Sequence, residues 1–466
     1  MDQITSLAQV PPARPCSALA RAGMRALLAL CLALGFAPRA ARAQEPAFGD
    51  SGWVAPEPAA TEAGDPTAPG PRVAPRDHEP TGEMLLRLPF RTAFLPVRLF
   101  GIGLDAAAGF LGDHYHPNPE FGLAINNFRV RPTGMLSNSS GPGVGVKVVR
   151  LLDKYGTRDL SLEGLWSKKD HRRLRLHQTI GQAAHGQPAR RLLFNLEAAY
   201  NYRPNYKYYG IGNFSHKSDR SIYLQEEGHV DASLRLGVRA DRRVRAFVGY
   251  SGESTRRGYN DGPSAFDLFT PGDTPFLGHR SQVVSYGLGG DLAAVDDLRN
   301  PTRGAHARAE VREVKGVDDT HIEYRQWHLE ARGYLPVFSR RRVLAASLLD
   351  RQVDGGNGSP QVPFYRLPES ANETRFLAYS SHRFRDRHLV IAQAEYRWEV
   401  WNRVWGVALA QLGEVASRAD RLRMADVHES YGGGFHVGLS ETSTARLEVA
   451  KGSEGLAVNL EVGGDF

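Results

Sequence analysis

From about residue 119 to the C-terminus, apolar and polar residues alternate with a period of two. Leu192, Phe194, Leu196, Ala198, Tyr200 and Tyr202 share one face, while Asn195, Glu197, Asn201 and Arg203 share the other. Val244, Ala246, Val248 and Tyr250 repeat the pattern against Arg243 and Arg245. Ala305, Ala307, Ala309 and Val311 oppose His306, Arg308, Glu310 and Arg312. Val390, Ala392, Ala394, Tyr396 and Trp398 oppose Gln393, Glu395 and Arg397, and Leu456, Val458, Leu460 and Val462 oppose Asn459 and Glu461. Successive β-strand side chains point to opposite faces, so each run is a strand with one apolar and one charged face. Strand after strand of this kind, joined alternately by short and long links, predicts an all-β, antiparallel transmembrane barrel with lipid outside and a polar lumen inside.

The pattern predicts about 16 strands, starting near residues 119, 143, 158, 173, 191, 220, 242, 281, 303, 320, 341, 388, 403, 430, 443 and 456. An even number returns both ends to one side. The long links 203–219, 254–280, 352–387 and 414–429 then fall on the outer side. The short links 152–157, 239–242, 336–341, 399–402 and 441–442 fall on the inner side, and the link at 181–190 is long for that side.

The remainder of the chain refines this reading. In 466 residues no apolar run is long enough for a transmembrane helix, so a membrane crossing has to be made by strands. Residues 1–43 read as a secretory signal peptide, with Arg21 and Arg25 before the apolar core Ala26 to Ala37 and the small-x-small site Ala41-Arg42-Ala43. Residues 44–83 are a Pro-rich leader expected to be disordered, because this composition cannot bury a core. Residues 84–118 are apolar but broken by Pro89 and Pro96, and read equally as a plug or as a lead-in to the barrel of 119–466. Cys16 and Cys31 are the only cysteines and both precede the cleavage site, which excludes disulfides and thiolate chemistry from the processed chain. The formal charge of +7 falls to about +3 without the signal peptide, with both signs interspersed, so no nucleic-acid partner is expected.

Three segments resemble the bacterial surface antigen domain of BamA/TamA-type outer-membrane proteins. They are Tyr208-Tyr209-Gly210-Ile211-Gly212-Asn213, the turn Asp297-Leu298-Arg299-Asn300-Pro301-Thr302-Arg303-Gly304, and Arg383-Phe384-Arg385-Asp386-Arg387 leading into Glu395-Tyr396-Arg397-Trp398-Glu399-Val400. The resemblance implies a 16-strand barrel in the cell outer membrane that assembles, inserts or passes polypeptides or solutes. Its implied partners are outer-membrane lipid and lipopolysaccharide, other outer-membrane proteins and the barrel assembly machinery. It further implies that Phe466, in register with the lipid-facing residues of the last strand, is the assembly signal. The implied site is the sixth outer loop, with Phe376, Leu377, Ala378, Tyr379, Arg383, Phe384, Arg385 and Asp386 entering a lumen lined by Glu395, Arg397, Gln411, Arg308 and Glu310.

The chain departs from the family twice. The family's loop tip carries an Arg that pairs with an Asp on a nearby strand. Here Leu377 and Gln411 occupy those positions, so both halves of the ion pair are replaced together. That is consistent physically, since a buried charge without its partner costs several kcal/mol, about 3–5 when one partner is removed. The loop's charge cluster is then expected to find lumen partners such as Glu395 and Glu310, with the tip packed near Gln411. Second, residues 44–118 show no alternating strand-and-helix pattern that builds a POTRA domain. A passive pore or structural barrel without insertase action is therefore the alternative function. No enzyme is expected, nor any cofactor or metal. Gly249-Tyr250-Ser251-Gly252 lies in a predicted strand and not in a nucleophile elbow, and His114-Tyr115-His116 has no further ligand at useful spacing.

Overall fold

A computed structural model describes residues 123–463, apart from 126, 138–140, 153–157, 184–190, 240–241, 259–261, 298–299, 356–361, 371–375, 402–403 and 441–442. The segments read as signal peptide (1–43) and leader (44–83), residues 84–118 and Phe466 lie outside the described residues. The described strands form one antiparallel sheet. A three-residue piece, β1 (Leu123–Ile125), precedes sixteen barrel strands. These are β2 (Phe128–Ser137), β3 (Gly141–Leu151), β4 (Arg158–Ser167), β5 (Arg172–Ala183), β6 (Arg191–Tyr208), β7 (Ser221–Arg239), β8 (Arg242–Arg257) and β9 (Arg280–Val295). There follow β10 (Gly304–Gly316), β11 (Glu323–Val337), β12 (Ser339–Asp354), β13 (His388–Trp401), β14 (Val404–Ala416), β15 (His428–Ser440), β16 (Ser443–Gly452) and β17 (Gly455–Gly463). From β2 onward each strand pairs with the next in sequence, and β17 lies beside β2, closing the barrel. Closure leaves no strand edge exposed to lipid.

The strand starts agree with the alternation pattern to within about three residues, with one exception, and β6 runs on to Tyr208, past the expected start of its link at 203. The first barrel strand begins at Phe128 and not near residue 119. The alternation at Leu123 and Ile125 belongs to β1, which folds back on β2 with Ile125 opposite Phe128. Asn127, in a turn, directly precedes β2.

The outward face is apolar. Val144, Val146, Leu174, Phe194, Leu234, Val244, Leu288, Leu329, Leu447 and Leu456 are all exposed. A solvated sheet would present polar residues at these positions. The opposite parity carries the charges inward, as with Glu163, Arg173, Glu310 and Arg397. Among the described residues no helix is long and apolar enough to cross a bilayer.

Two features position the site. A transmembrane strand needs roughly 9–11 residues, whereas β6 has 18 and β7 has 19. These strands overshoot the apolar belt at the rim that carries the long links, and their overhang holds the buried Tyr208 and Tyr223. At the opposite rim, Asp296 caps the turn before β10. It accepts from the backbone N–H of Thr302 at 2.9 Å and of Arg303 at 3.0 Å, and from the Thr302 hydroxyl at 2.5 Å. Burial disfavours its charge, but these donors outweigh burial and hold its carboxyl below the usual range. Gly304 ends this turn at φ +111°, where a Cβ would lie 2.0 Å from the Ala294 carbonyl oxygen. Within the family-like turn it is thus Asp296, one residue before the quoted segment, that carries the hydrogen bonds.

Candidate functional site: the link between β12 and β13 inside the barrel

The link between β12 and β13 spans residues 355–387 and turns back into the barrel. Phe376, Leu377, Ala378, Tyr379 and Phe384 are all buried. They cluster with Leu389 and Ile391 of β13, Val407, Leu409 and Val415 of β14, and Ala450 of β16. Burying one such large apolar side chain contributes about 1.5–3 kcal/mol, enough in sum to hold a link against a polar wall. Glycines make the seat. A Cβ at Gly413 would lie 3.1 Å from the Phe376 ring, and one at Gly452 would lie 2.9 Å from Ala378 Cβ. Phe376 stacks on Tyr379 with centroids 4.7 Å apart, and Phe384 stacks on His428 at 4.0 Å.

The tip is held by its main chain. The Leu377 N–H donates to Gln411 Oε1 at 2.9 Å, and the Leu377 carbonyl accepts from Asn459 Nδ2 at 3.0 Å. Gln411 Nε2 donates in turn to Gln393 Oε1 at 2.6 Å, the Gln393 amide donates to Glu395, and Arg397 Nε donates to Glu395 Oε2 at 2.7 Å. Where the family resemblance implies an Arg–Asp pair, this chain has a head-to-tail relay from a peptide N–H through two amides to a carboxylate. Gln411 and Gln393 each accept one hydrogen bond and donate the next, so both amides are used in both directions along the path. Tyr379 fastens the far side of the tip, donating to the Glu429 carbonyl at 3.0 Å and lying 3.1 Å from Ser453 Oγ.

The charged half of the link is anchored within the links, and not on Glu395 or Glu310 as the sequence suggested. Arg383 donates to Glu454 Oε1 at 2.6 Å and to Ser215 Oγ at 2.7 Å, and lies over the Tyr209 ring. Arg385, 1% exposed, pairs with Glu369 of the same link and donates to the Phe364 carbonyl at 3.1 Å. Glu369 also accepts from the Tyr206 hydroxyl at 2.6 Å and lies 2.8 Å from His382 Nδ1. Burial works against the Glu369 charge, but Arg385, His382 and Tyr206 outweigh it and hold its carboxyl well below the usual carboxylate range. Asp386 caps the Arg387 N–H at 2.7 Å, and burial pushes its carboxyl up. Glu310 is occupied on the wall by Arg245, Arg308 and Arg312.

Residues outside the sequence-based site complete the arrangement. Arg366 reaches across the lumen from the link to Glu253 of β8 at 2.8 Å and to Ser251 Oγ at 3.0 Å. Ser251 of the Gly-x-Ser-Gly segment thus sits within a strand as a hydrogen-bond acceptor. Asn213, last of the Tyr-Tyr-Gly-Ile-Gly-Asn segment, ties two further links together. Its amide donates to the Asp426 carbonyl at 2.6 Å, its side-chain oxygen accepts from the Val415 N–H at 3.2 Å, and its carbonyl lies 3.0 Å from His428 Nε2. Gly212 N–H donates to the Arg385 carbonyl at 2.8 Å. Among the described residues no group of three or more His, Cys, Asp or Glu side chains is placed to hold a metal ion.

A barrel of sixteen strands with the link between β12 and β13 seated in the lumen can be compared with solved structures. The fold matches BamA from Haemophilus ducreyi lacking POTRA domains 1–3 with a TM-score of 0.53 and 15% identity, over 73% of this chain and 71% of that one. The barrel is similar to BamA's. At this identity the likeness is one of fold. CdiB from Acinetobacter baumannii (TM-score 0.44, 8% identity, 74% of this chain and 61% of that one) and CdiB from Escherichia coli (0.45, 11%, 73% and 62%) match more distantly. No protein-family model matches the chain, and no curated protein does.

Proposed function

We propose that the chain is an outer-membrane barrel of the BamA/TamA type that acts in outer-membrane assembly or in the passage of polypeptides or solutes, without enzymatic chemistry. The apolar outer face, the even strand count and the BamA-like fold support a place in the outer membrane, with the long links outside. Outer-membrane lipid, lipopolysaccharide and other outer-membrane proteins are its proposed partners.

The observation that carries this reading is the clamp on the Leu377 peptide. The implied Arg–Asp pair is gone, yet the tip remains fixed to β14 through Gln411 and to β17 through Asn459. A barrel kept only as scaffold has no need for a buried relay that positions a loop tip between the last strands. The alternative, a passive pore or structural barrel, draws on the same replacement of the pair. Depletion in the native cell separates the two. The proposal expects lower amounts of other outer-membrane proteins or of an exported polypeptide. An unchanged outer-membrane proteome, together with steady conductance of the refolded protein in planar bilayers, would leave the passive pore.

A further inference from the structure

The rim opposite the long links carries an aromatic residue in an unusual setting. β11 and β12 are joined through a single residue, Phe338, at φ +64° and 88% exposed. That backbone conformation favours glycine or asparagine, and an aromatic ring there packs against nothing in water. Arg340, Arg341 and Arg342 follow after Ser339. Arg341 points to the lumen side, 3.3 Å from Glu399. Arg340 and Arg342 have the parity of Leu344, which pairs with the outward-facing Leu335. Arg342 lies directly opposite Trp398 on β13. The Trp398 indole covers Gly406 on β14, where a Cβ would come within 2.3 Å of the ring, and it stacks on Tyr396 at 5.8 Å. A glycine has made room for an indole on the outer face of the barrel, beside two arginines and an exposed phenylalanine.

We propose that Phe338, Arg340, Arg342 and Trp398 form a binding site for the headgroup of an anionic phospholipid at the short-link rim. The inference rests on the membrane reading above. Guanidinium groups bind phosphate diesters through paired N–H donors, and aromatic rings settle at the boundary between acyl chains and headgroups. The arginines take the phosphate, while Phe338 and Trp398 lie along the first segment of the acyl chains. A phosphatidylglycerol-type lipid offers net negative charge to two arginines. A zwitterionic lipid brings its own cation, which the same arginines repel.

Brominated lipids quench tryptophan on contact and test the site in the full chain. The protein is refolded into phosphatidylcholine vesicles containing one part in ten of either brominated phosphatidylglycerol or brominated phosphatidylcholine. The emission lost in Trp398→Phe gives the Trp398 component. We expect the anionic probe to quench this component far more than the zwitterionic one, with each arginine supplying roughly a fivefold local enrichment. Arg340→Gln and Arg342→Gln each weaken the preference, and so does high salt on the unaltered chain, a control that needs no variant to fold. Equal quenching by both probes in the folded protein would overturn the site and leave an ordinary aromatic belt. Quenching of Trp398 by neither probe would overturn it too, showing the face covered by protein, such as a second copy of the chain. Failure to insert into any vesicle would sink the membrane reading itself.

Discussion

Gln411→Ala is the most direct perturbation of the tip. The side chain is 1% exposed, accepts from the Leu377 N–H and donates to Gln393. Truncation strands the Leu377 N–H, a buried donor whose lost partner costs about 1–3 kcal/mol, and removes a second bond worth about 1 kcal/mol. The sum is about 2–4 kcal/mol against the seated state of the link. Arg383 and Arg385 are both buried when the link is seated, so trypsin reports its opening. When opening and closing are fast relative to cleavage, the cutting rate follows the open population. Gln411→Ala should then raise cleavage after Arg383 and Arg385 by roughly 30- to 700-fold, at about 1.4 kcal/mol per tenfold. Asn459→Ala releases the carbonyl of the same peptide. Once one end is free the other bond is strained or lost, so the double variant should lose less than the sum of the two, with a coupling of about 0.5–3 kcal/mol. Cleavage of Gln411→Ala at the unaltered rate, or additivity of the two substitutions, would show that the two amides do not grip one peptide.

Replacing Arg385 by Met leaves Glu369 buried without its cation and should cost about 3–5 kcal/mol, read as a lower urea midpoint; adding Glu369→Gln should restore much of the loss. Because the folded-state pKa of Glu369 is depressed, its contribution is fully present above the ordinary carboxylate pKa and is lost only as pH falls well below it. Arg385→Met should therefore remove stability at neutral pH but change little in strong acid. Asn213→Ala should speed external proteolysis of the links at 209–220 and 417–427 together, since this side chain of the first link bonds to Asp426 in the second and to Val415 at the end of β14; a change confined to one link would contradict that tie. On intact cells an added protease should cut within 258–279 and spare the β11–β12 turn at Phe338, and the reverse pattern would invert the proposed orientation. Deleting Phe466 should lower the folded, heat-modifiable fraction in the outer membrane.

The barrel was legible because lipid on one side and a polar lumen on the other impose a period of two on every strand. Leu192 to Tyr202 and Leu456 to Val462 show it without help from tertiary structure. The first barrel strand starts later than the alternation suggests because Leu123 and Ile125 of the short β1 carry the same apolar alternation ahead of it, while Pro132 interrupts the pattern within β2. The site was legible only in part. Side-chain type marked Arg383, Arg385 and the aromatic tip as unusual, but the Leu377 contacts are made by peptide atoms that every residue carries. Nothing in the letters Gln393, Gln411 and Asn459 announces that they meet one peptide. Arg366 and Glu369 sit in a stretch of the link with no periodicity, and their partners Glu253 and Tyr206 lie over a hundred residues away in sequence.

The way the sixth link is tied has a mechanical consequence. Its attachments reach β8 through Arg366, β14 through Leu377, β17 through Leu377 and the turn before β17 through Arg383. A force drawing the link outward loads these ties side by side instead of one after another. Such a fastening resists peeling and yields in a single event, so the link should leave its seat as a unit, like a latch and unlike a zip. A ligand or client able to open the barrel from the long-link side would have to supply the whole release energy at once, and partly withdrawn positions of the link would be scarcely populated.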